Sequence, residues 1–277
     1  MIDIRGVGVN YLASAHADLQ NNLSLVDFVE ISPEDQLDAP GALGLRRIAE
    51  LSQRIPIKSH GRRLSIASAG QLDAEHLDRV AEIVALSRSC FYSDHLAFMQ
   101  ADSGFSELHM APPYVAETLD IVVPKVVQVQ KRIPVPFLLE NVPNLLLANS
   151  AANEGVFFRQ LCTATNVGIL LNLDALIFSA DAAGRSAESI LDEYPKNNIV
   201  AVTLVPHASM NETFRLNHGD DTDSRLFDLL AKVLRETPAR AVVVQRRYDH
   251  ETLPQVSDIL QKVRGMLASA PAVEVTS

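Results

Sequence analysis

The chain has 277 residues, 47% of them hydrophobic, and a formal net charge of −10. That length suits one α/β barrel domain, the acidity without any basic stretch argues against a nucleic-acid partner, and no apolar run reaches the roughly 18 residues of a membrane span. Two cysteines, Cys90 and Cys162, lie in apolar settings and give no disulfide framework.

The opening MIDIRGVGVNY begins a strand rather than a signal peptide, which points to the cytoplasm. The first predicted strand covers residues 4–9 and is closed by Asn10. The second, LVDFVEI, covers 25–31, with Glu30 near its end. A helix over 42–53 follows Pro40, with Leu45, Ile48 and Leu51 as its apolar stripe. Residues 55–59 form the third strand and deliver His60. Asp73 caps a helix over 74–86 whose face is Leu77, Val80, Ile83 and Val84. The fourth strand, 90–93, delivers Asp94 and His95.

A long loop over 96–111 carries Gly104, Phe105, Leu108, His109 and Met110, and loops of that length are often functional. Its apolar groups make it a candidate to hold a peptide. A helix over 112–130 leads to the stretch PFLLENV at 136–142. There an apolar strand, 137–139, ends in Glu140 and Asn141. A carboxylate at the edge of a core needs a partner, either a salt bridge or a metal ion.

The second half repeats the alternation. A helix over 154–164 precedes a strand over 167–171, which delivers Asn172 and Asp174. A short helix over 187–191 precedes a strand over 199–205, which delivers His207. An irregular stretch, 208–217, leads to His218-Gly219-Asp220-Asp221. Asp223 or Ser224 caps a helix to about Arg235, the eighth strand is 241–244, and the last helix is 253–267. Eight strands mostly followed by helices predict a (β/α)8 TIM barrel. No GxGxxG follows a strand, which argues against a dinucleotide fold. No repeat or linker divides the chain, so a single domain is expected over 1–267, with a loose tail over 268–277.

In such a barrel the strand ends share one mouth, where active sites lie. His60, His95, Glu140, Asn172 and Gln245 follow strands three, four, five, six and eight, and His207 and His218 follow strand seven. Two histidines and a carboxylate match the ligand types of non-haem iron centres. Asp94 is placed to orient an imidazole or to close a loop by an Asx-turn. His76, His109 and His250 read as surface or loop residues, and His16 is given no role.

Several segments together resemble a known family: GVGVNY, VDFVEIS, SHGRRLSIAS, YSDHLAF, LLENVPNLL, VGILLNLDALIFSA, NHGDD and VVVQRRYD. The chain resembles the multinuclear non-haem iron-dependent oxidases, which include the methanobactin-type peptide oxidases. The resemblance implies a xylose-isomerase-like barrel with two or three irons at its mouth. It also implies oxidation of a ribosomally made precursor peptide, often at cysteine, with dioxygen, and a small partner protein that presents the peptide.

His60, His95 and Glu140 keep the family's ligand types, and His218 keeps the histidine of its His-Gly stretch. Elsewhere the chain departs. Asn172 and Ala175 stand where the family has an aspartate and an asparagine, with Asp174 between them as a substitute. Leu204 takes a histidine's place, and Gln245-Arg246-Arg247 replaces Glu-Arg-Asp. These changes remove ligands and add a cation, so a second or third iron would lose charge compensation. Arg247 is expected to pair with Glu140 or Asp174.

The expectation is an iron-dependent peptide oxidase with a reduced metal site. His60, His95 and Glu140 would hold the metal, with Asn172 and His218 as weaker ligands or neighbours. The alternative is a catalytically impaired barrel that binds a peptide or partner protein. A third reading, an isomerase or hydrolase of small molecules, rests on fold analogy alone.

Overall fold

Apolar, β-branched runs buried on both faces pair as parallel strands, and here they close into a ring. The computed structural model describes residues 4–38, 43–101, 104–144, 153–205, 222–246 and 252–271. The barrel strands are β1 (Gly6–Asn10), β2 (Phe28–Ile31), β3 (Ile57–His60), β4 (Tyr92–His95), β7 (Phe137–Glu140), β8 (Gly168–Asn172), β9 (Ile199–Leu204) and β10 (Ala241–Val244). Each pairs with the next, and β10 returns to β1 with Gly8 opposite Val243. The expected eight-stranded barrel is therefore the observed one.

The helices are α1 (His16–Asn21), α2 (Pro33–Asp38), α3 (Leu43–Leu51), α4 (Ala74–Leu86), α5 (Ala116–Arg132), α6 (Glu154–Thr165), α7 (Leu173–Ala182), α8 (Ala187–Leu191), α9 (Thr222–Glu236) and α10 (Ser257–Ser269). In α4 the Asp73 carboxylate accepts from the His76 backbone N–H at 3.0 Å, and Leu77, Val80, Ile83 and Val84 are buried as the periodicity requires. Helices α1, α2 and α7 were not legible as helices. Helix α7 is buried on nearly every side, so it lacks the polar face that reveals a helical period. Helix α10 extends two residues into the expected tail.

The expected loop over 96–111 is instead largely a hairpin. Strand β5 (Phe98–Ala101) pairs antiparallel with β6 (Gly104–Met110), with a register shift between Phe98 and Gln100. That irregularity hides the strand alternation in the sequence.

The period of two sorts every barrel strand. Val7, Val9, Val29, Ile57, Tyr92, Leu139, Leu171, Val202, Leu204, Val242 and Val244 belong to the large core beneath the helices. The residues between them face the axis, where Phe28, Phe91, Leu138, Leu170, Ala201, Ala241 and Val243 form a separate apolar plug with Ile4. Toward the carboxyl ends the inward positions turn polar: Glu30, Lys58, His60, Ser93, His95, Glu140, Asn172, Thr203 and Gln245. The plug depends on Gly8, because a Cβ there would lie 2.4 Å from the Phe28 ring. Gly8→Ala is expected to destabilise the protein by about 1–3 kcal/mol through overpacking. Urea unfolding tests this, and an unchanged midpoint would show that the ring moves aside freely.

Candidate metal centre

Successive strands deliver His60, His95 and Glu140 to one point at the mouth. One ligand atom from each lies within 4.8 Å of the others. His60 Nε2 is 3.1 Å from Glu140 Oε2, and His95 Nε2 is 3.6 Å from the same oxygen. The imidazoles meet edge to face, with ring centroids 4.6 Å apart. The second atoms of two of these groups are held from behind. His60 Nδ1 bonds the Ser93 hydroxyl at 2.9 Å, and the Asn172 amide donates to Glu140 Oε1 at 2.8 Å.

Asn172 also caps α7, accepting from the Ala175 N–H at 2.9 Å. Asn141 exchanges two hydrogen bonds with the Asn172 backbone, so the amide that orients Glu140 is fixed on both sides.

Burial dominates the electrostatics. It pushes both imidazoles well below their ordinary range, helped at His60 by the Lys58 charge and at His95 by His60. Both are neutral at physiological pH, the state in which imidazole binds metal. Burial also pushes the Glu140 carboxyl up to about 8, and the Glu30 charge adds to the rise while Lys58 and Asn172 oppose it. Among the described residues Glu140 therefore meets too little positive charge to offset its burial.

A divalent ion fits this arrangement. Ligand atoms held about 2.0–2.2 Å from a metal lie roughly 3–3.5 Å from one another, close to two of the separations here, 3.1 Å and 3.6 Å, with all three atoms within 4.8 Å of one another. The longer gap is too wide for a hydrogen bond, and His95 Nδ1 is buried with no hydrogen-bond partner among the described residues.

The mouth is a cavity of about 390 Å³ whose lining includes these residues with Glu30, Arg62, His109, Thr203 and Gln245. Directly below the imidazoles, Lys58 forms an ion pair with Glu30, and the Gln245 amide donates to the other Glu30 oxygen. Lys58 and His109 were not read as site residues from the sequence. Lys58 lies two positions before His60 and so shares its face, a signal that was legible. His109 was read as a surface or loop residue. It reaches in from β6, its ring 3.9 Å from that of His95, with Nε2 2.9 Å from the Arg62 carbonyl oxygen. Only the fold of the hairpin reveals that.

Other expected neighbours lie elsewhere. Asp94 points away from both imidazoles because it alternates with Ser93 and His95. It accepts from the Tyr92 hydroxyl at 2.7 Å and from the His95 backbone N–H. Asp174, in α7, accepts from the Val205 backbone N–H at 2.7 Å and does not line the mouth. Leu204 faces the helix layer, and Thr203 and Val205 occupy the inward places on β9. His207, His218, Arg247 and His250 lie outside the described residues, and the expected Arg247 pairing lies there with them.

The chain was compared with known proteins. A sequence model of the family described as "RiPP precursor modification enzyme MbnB/TglH/ChrH" matches residues 6–268. The chain belongs to this family. It is one of enzymes that modify precursors of ribosomally made peptide products. Among curated relatives, a UPF0276 protein of Rhizorhabdus wittichii is 26% identical over 242 residues, covering 87% of this chain and 86% of that one. Another, from Paraburkholderia phytofirmans, is 32% identical over 186 residues, covering 67% of this chain and 60% of its own length.

Solved structures share the fold. A xylose isomerase domain protein from Planctomyces limnophilus matches with a TM-score of 0.56 at 12% identity, over 96% of this chain and 99% of that one. D-psicose 3-epimerase from Clostridium cellulolyticum matches with a TM-score of 0.55 at 14% identity, over 95% and 94%. Among the described residues no helix is long and apolar enough to cross a membrane.

The turn after His60 is anchored by Glu34, a fully buried residue in α2. Its carboxylate accepts from the Arg62 backbone N–H and the Ser32 hydroxyl, each at 3.0 Å, and lies 3.5 Å from His76 Nε2. Burial pushes Glu34 up, but His76 and the other donors outweigh it and hold it at about 2, below its ordinary 4.5. The Glu34 carboxylate raises His76 above its ordinary 6.5. The Glu34 contribution is present above 4.5 and is lost as pH falls toward 2. The His76 contribution is present below 6.5 and is lost as pH rises through its raised value. His76→Ala is therefore expected to destabilise the fold most between pH 4.5 and 6.5. Denaturant melts across pH check this, and a stability difference independent of pH would contradict the pairing.

Proposed function

We propose that this protein is an iron-dependent oxidase of a ribosomally made precursor peptide, acting at cysteine, with a single metal held by His60, His95 and Glu140. The observation that carries the reading is the convergence of those three side chains at the barrel mouth in a chain of this family. When bound there, iron supplies the one-electron chemistry that couples dioxygen to cysteine oxidation.

The protein's own groups prepare the place. Ser93 and Asn172 aim the His60 ring and the Glu140 carboxylate. The apolar plug closes the barrel below the site, so a substrate enters only from the mouth. The β5–β6 hairpin stands beside that entrance and presents Leu108, 71% exposed, as an apolar contact for the peptide. A small partner protein presenting the peptide completes this reading. The protein would act in the cytoplasm, where peptide thiols are kept reduced.

His60→Ala and Glu140→Ala are each expected to abolish tight iron binding and leave a folded barrel, because both side chains lie outside the packed core. Iron per chain after anaerobic reconstitution, with circular dichroism, tests this. A parent that takes no iron yet binds precursor peptide would leave peptide capture as the function. Leu108→Asp is expected to weaken peptide binding about tenfold, roughly the loss of one buried leucine contact, at unchanged iron content. Equal affinity in a titration would remove the hairpin from the peptide site.

A further inference from the structure

We propose that the Lys58 ammonium is a resident cation that takes the place of a second metal and restricts the centre to one ion. The inference deepens the single-metal reading above and rests on it.

Two buried carboxylates, Glu30 and Glu140, line the mouth cavity. Buried charges need partners. Glu30 has both oxygens engaged: one is ion-paired with Lys58, and the other accepts from the Gln245 amide. The Lys58 side chain is 0% exposed, and its Nζ lies 5.4 Å from the centre of the Phe91 ring, at the top of the apolar plug. Strand pairing sets Glu30 directly beside Lys58, and strand alternation sets Lys58 on the same face as His60. The ammonium thus lies beneath the cavity lining, between plug and imidazoles, and cannot swing out to solvent without breaking its pair.

Charge then decides the metal count. The described charged residues lining the mouth are Glu30, Asp35, Arg62, Glu140 and Arg246, with Lys58 beneath them. Arg62 pairs with Asp35, Arg246 with Asp18 and Lys58 with Glu30, which leaves Glu140 without a cationic partner among the described residues, and the strand-end positions on β8 and β10 are the amides of Asn172 and Gln245. One divalent ion at His60, His95 and Glu140 already offsets the free negative charge. A second would be unpaired beside an ammonium in a water-poor site, and its natural carboxylate, Glu30, is occupied. Replacing Lys58 by an apolar side chain of similar length frees Glu30 and removes the repulsion.

The test is metal content per chain after anaerobic equilibrium dialysis at fixed free Fe(II). Lys58→Met is expected to bind about one more ion per chain than the parent, and Lys58→Met with Glu30→Gln is expected to return to the parent value, since site charge governs metal affinity. A folded Lys58→Met variant with the parent's metal content overturns the proposal. If that variant is unfolded without metal, added Zn(II) is expected to restore a cooperative thermal transition, because the ion replaces the missing ammonium. A variant that stays unfolded at every Zn(II) concentration also overturns it. A parent that binds no iron would remove the single-metal reading, while the difference between variant and parent still decides the role of Lys58.

Discussion

The buried carboxylate of Glu140 is the constraint around which the mouth of this barrel is arranged. Its strand neighbour on the same face, Leu138, belongs to the apolar plug, so the carboxylate stands at the boundary between a dry interior and an open cavity. Burial drives it toward the protonated form. Among the described residues an amide donor and two neutral imidazoles lie against it. Neither supplies a full positive charge, and the group is left suited to a cation.

The support of Glu140 extends well beyond the mouth. Asn172 holds it, Asn141 holds Asn172, and Glu154 at the start of α6 accepts from the Tyr194 hydroxyl with Asn141 and Ser179 nearby. Burial pushes Glu154 up to about 7 against those neighbours, which keeps an uncompensated charge out of the layer between barrel and helices. The same logic appears at the turn after His60, where fully buried Glu34 gathers Ser32, Arg62 and His76. Glu34 in particular ties the segment before α2, the turn after His60 and α4 together, and this helps fix the loops that frame the site.

Family membership and the chain's own chemistry pull in different directions, and the structure shows where they part. The His-His-Glu group keeps the ligand types that the resemblance implies. The rest of the described mouth includes an amide at Asn172, an amide at Gln245, an Arg62–Asp35 ion pair and, beneath, an ion pair already made between Lys58 and Glu30. The described residues place a buried positive charge at Lys58, on β3, while Arg247 lies outside them. His109 adds a third imidazole against His95 from the hairpin, and so joins the hairpin to the His-His-Glu group.

The sequence alone determined the barrel and its three central residues. A period of two on short apolar runs, each ending in a polar residue, assigns strand faces without any knowledge of contacts, and so His60, His95 and Glu140 were legible as partners. The same period, applied to single strands, would have named Lys58 as inward and Asp94 and Leu204 as outward. Tertiary structure alone decided the rest. Asp174 turns to the Val205 backbone because α7 begins immediately after β8. His109 meets His95 because an irregular hairpin folds over the mouth. Glu30 meets Lys58 because neighbouring strands settle into one register. Side-chain direction along a strand is a local property of the backbone, whereas the partner of a buried charge is set by which strands close the ring and by how far each is displaced along the next.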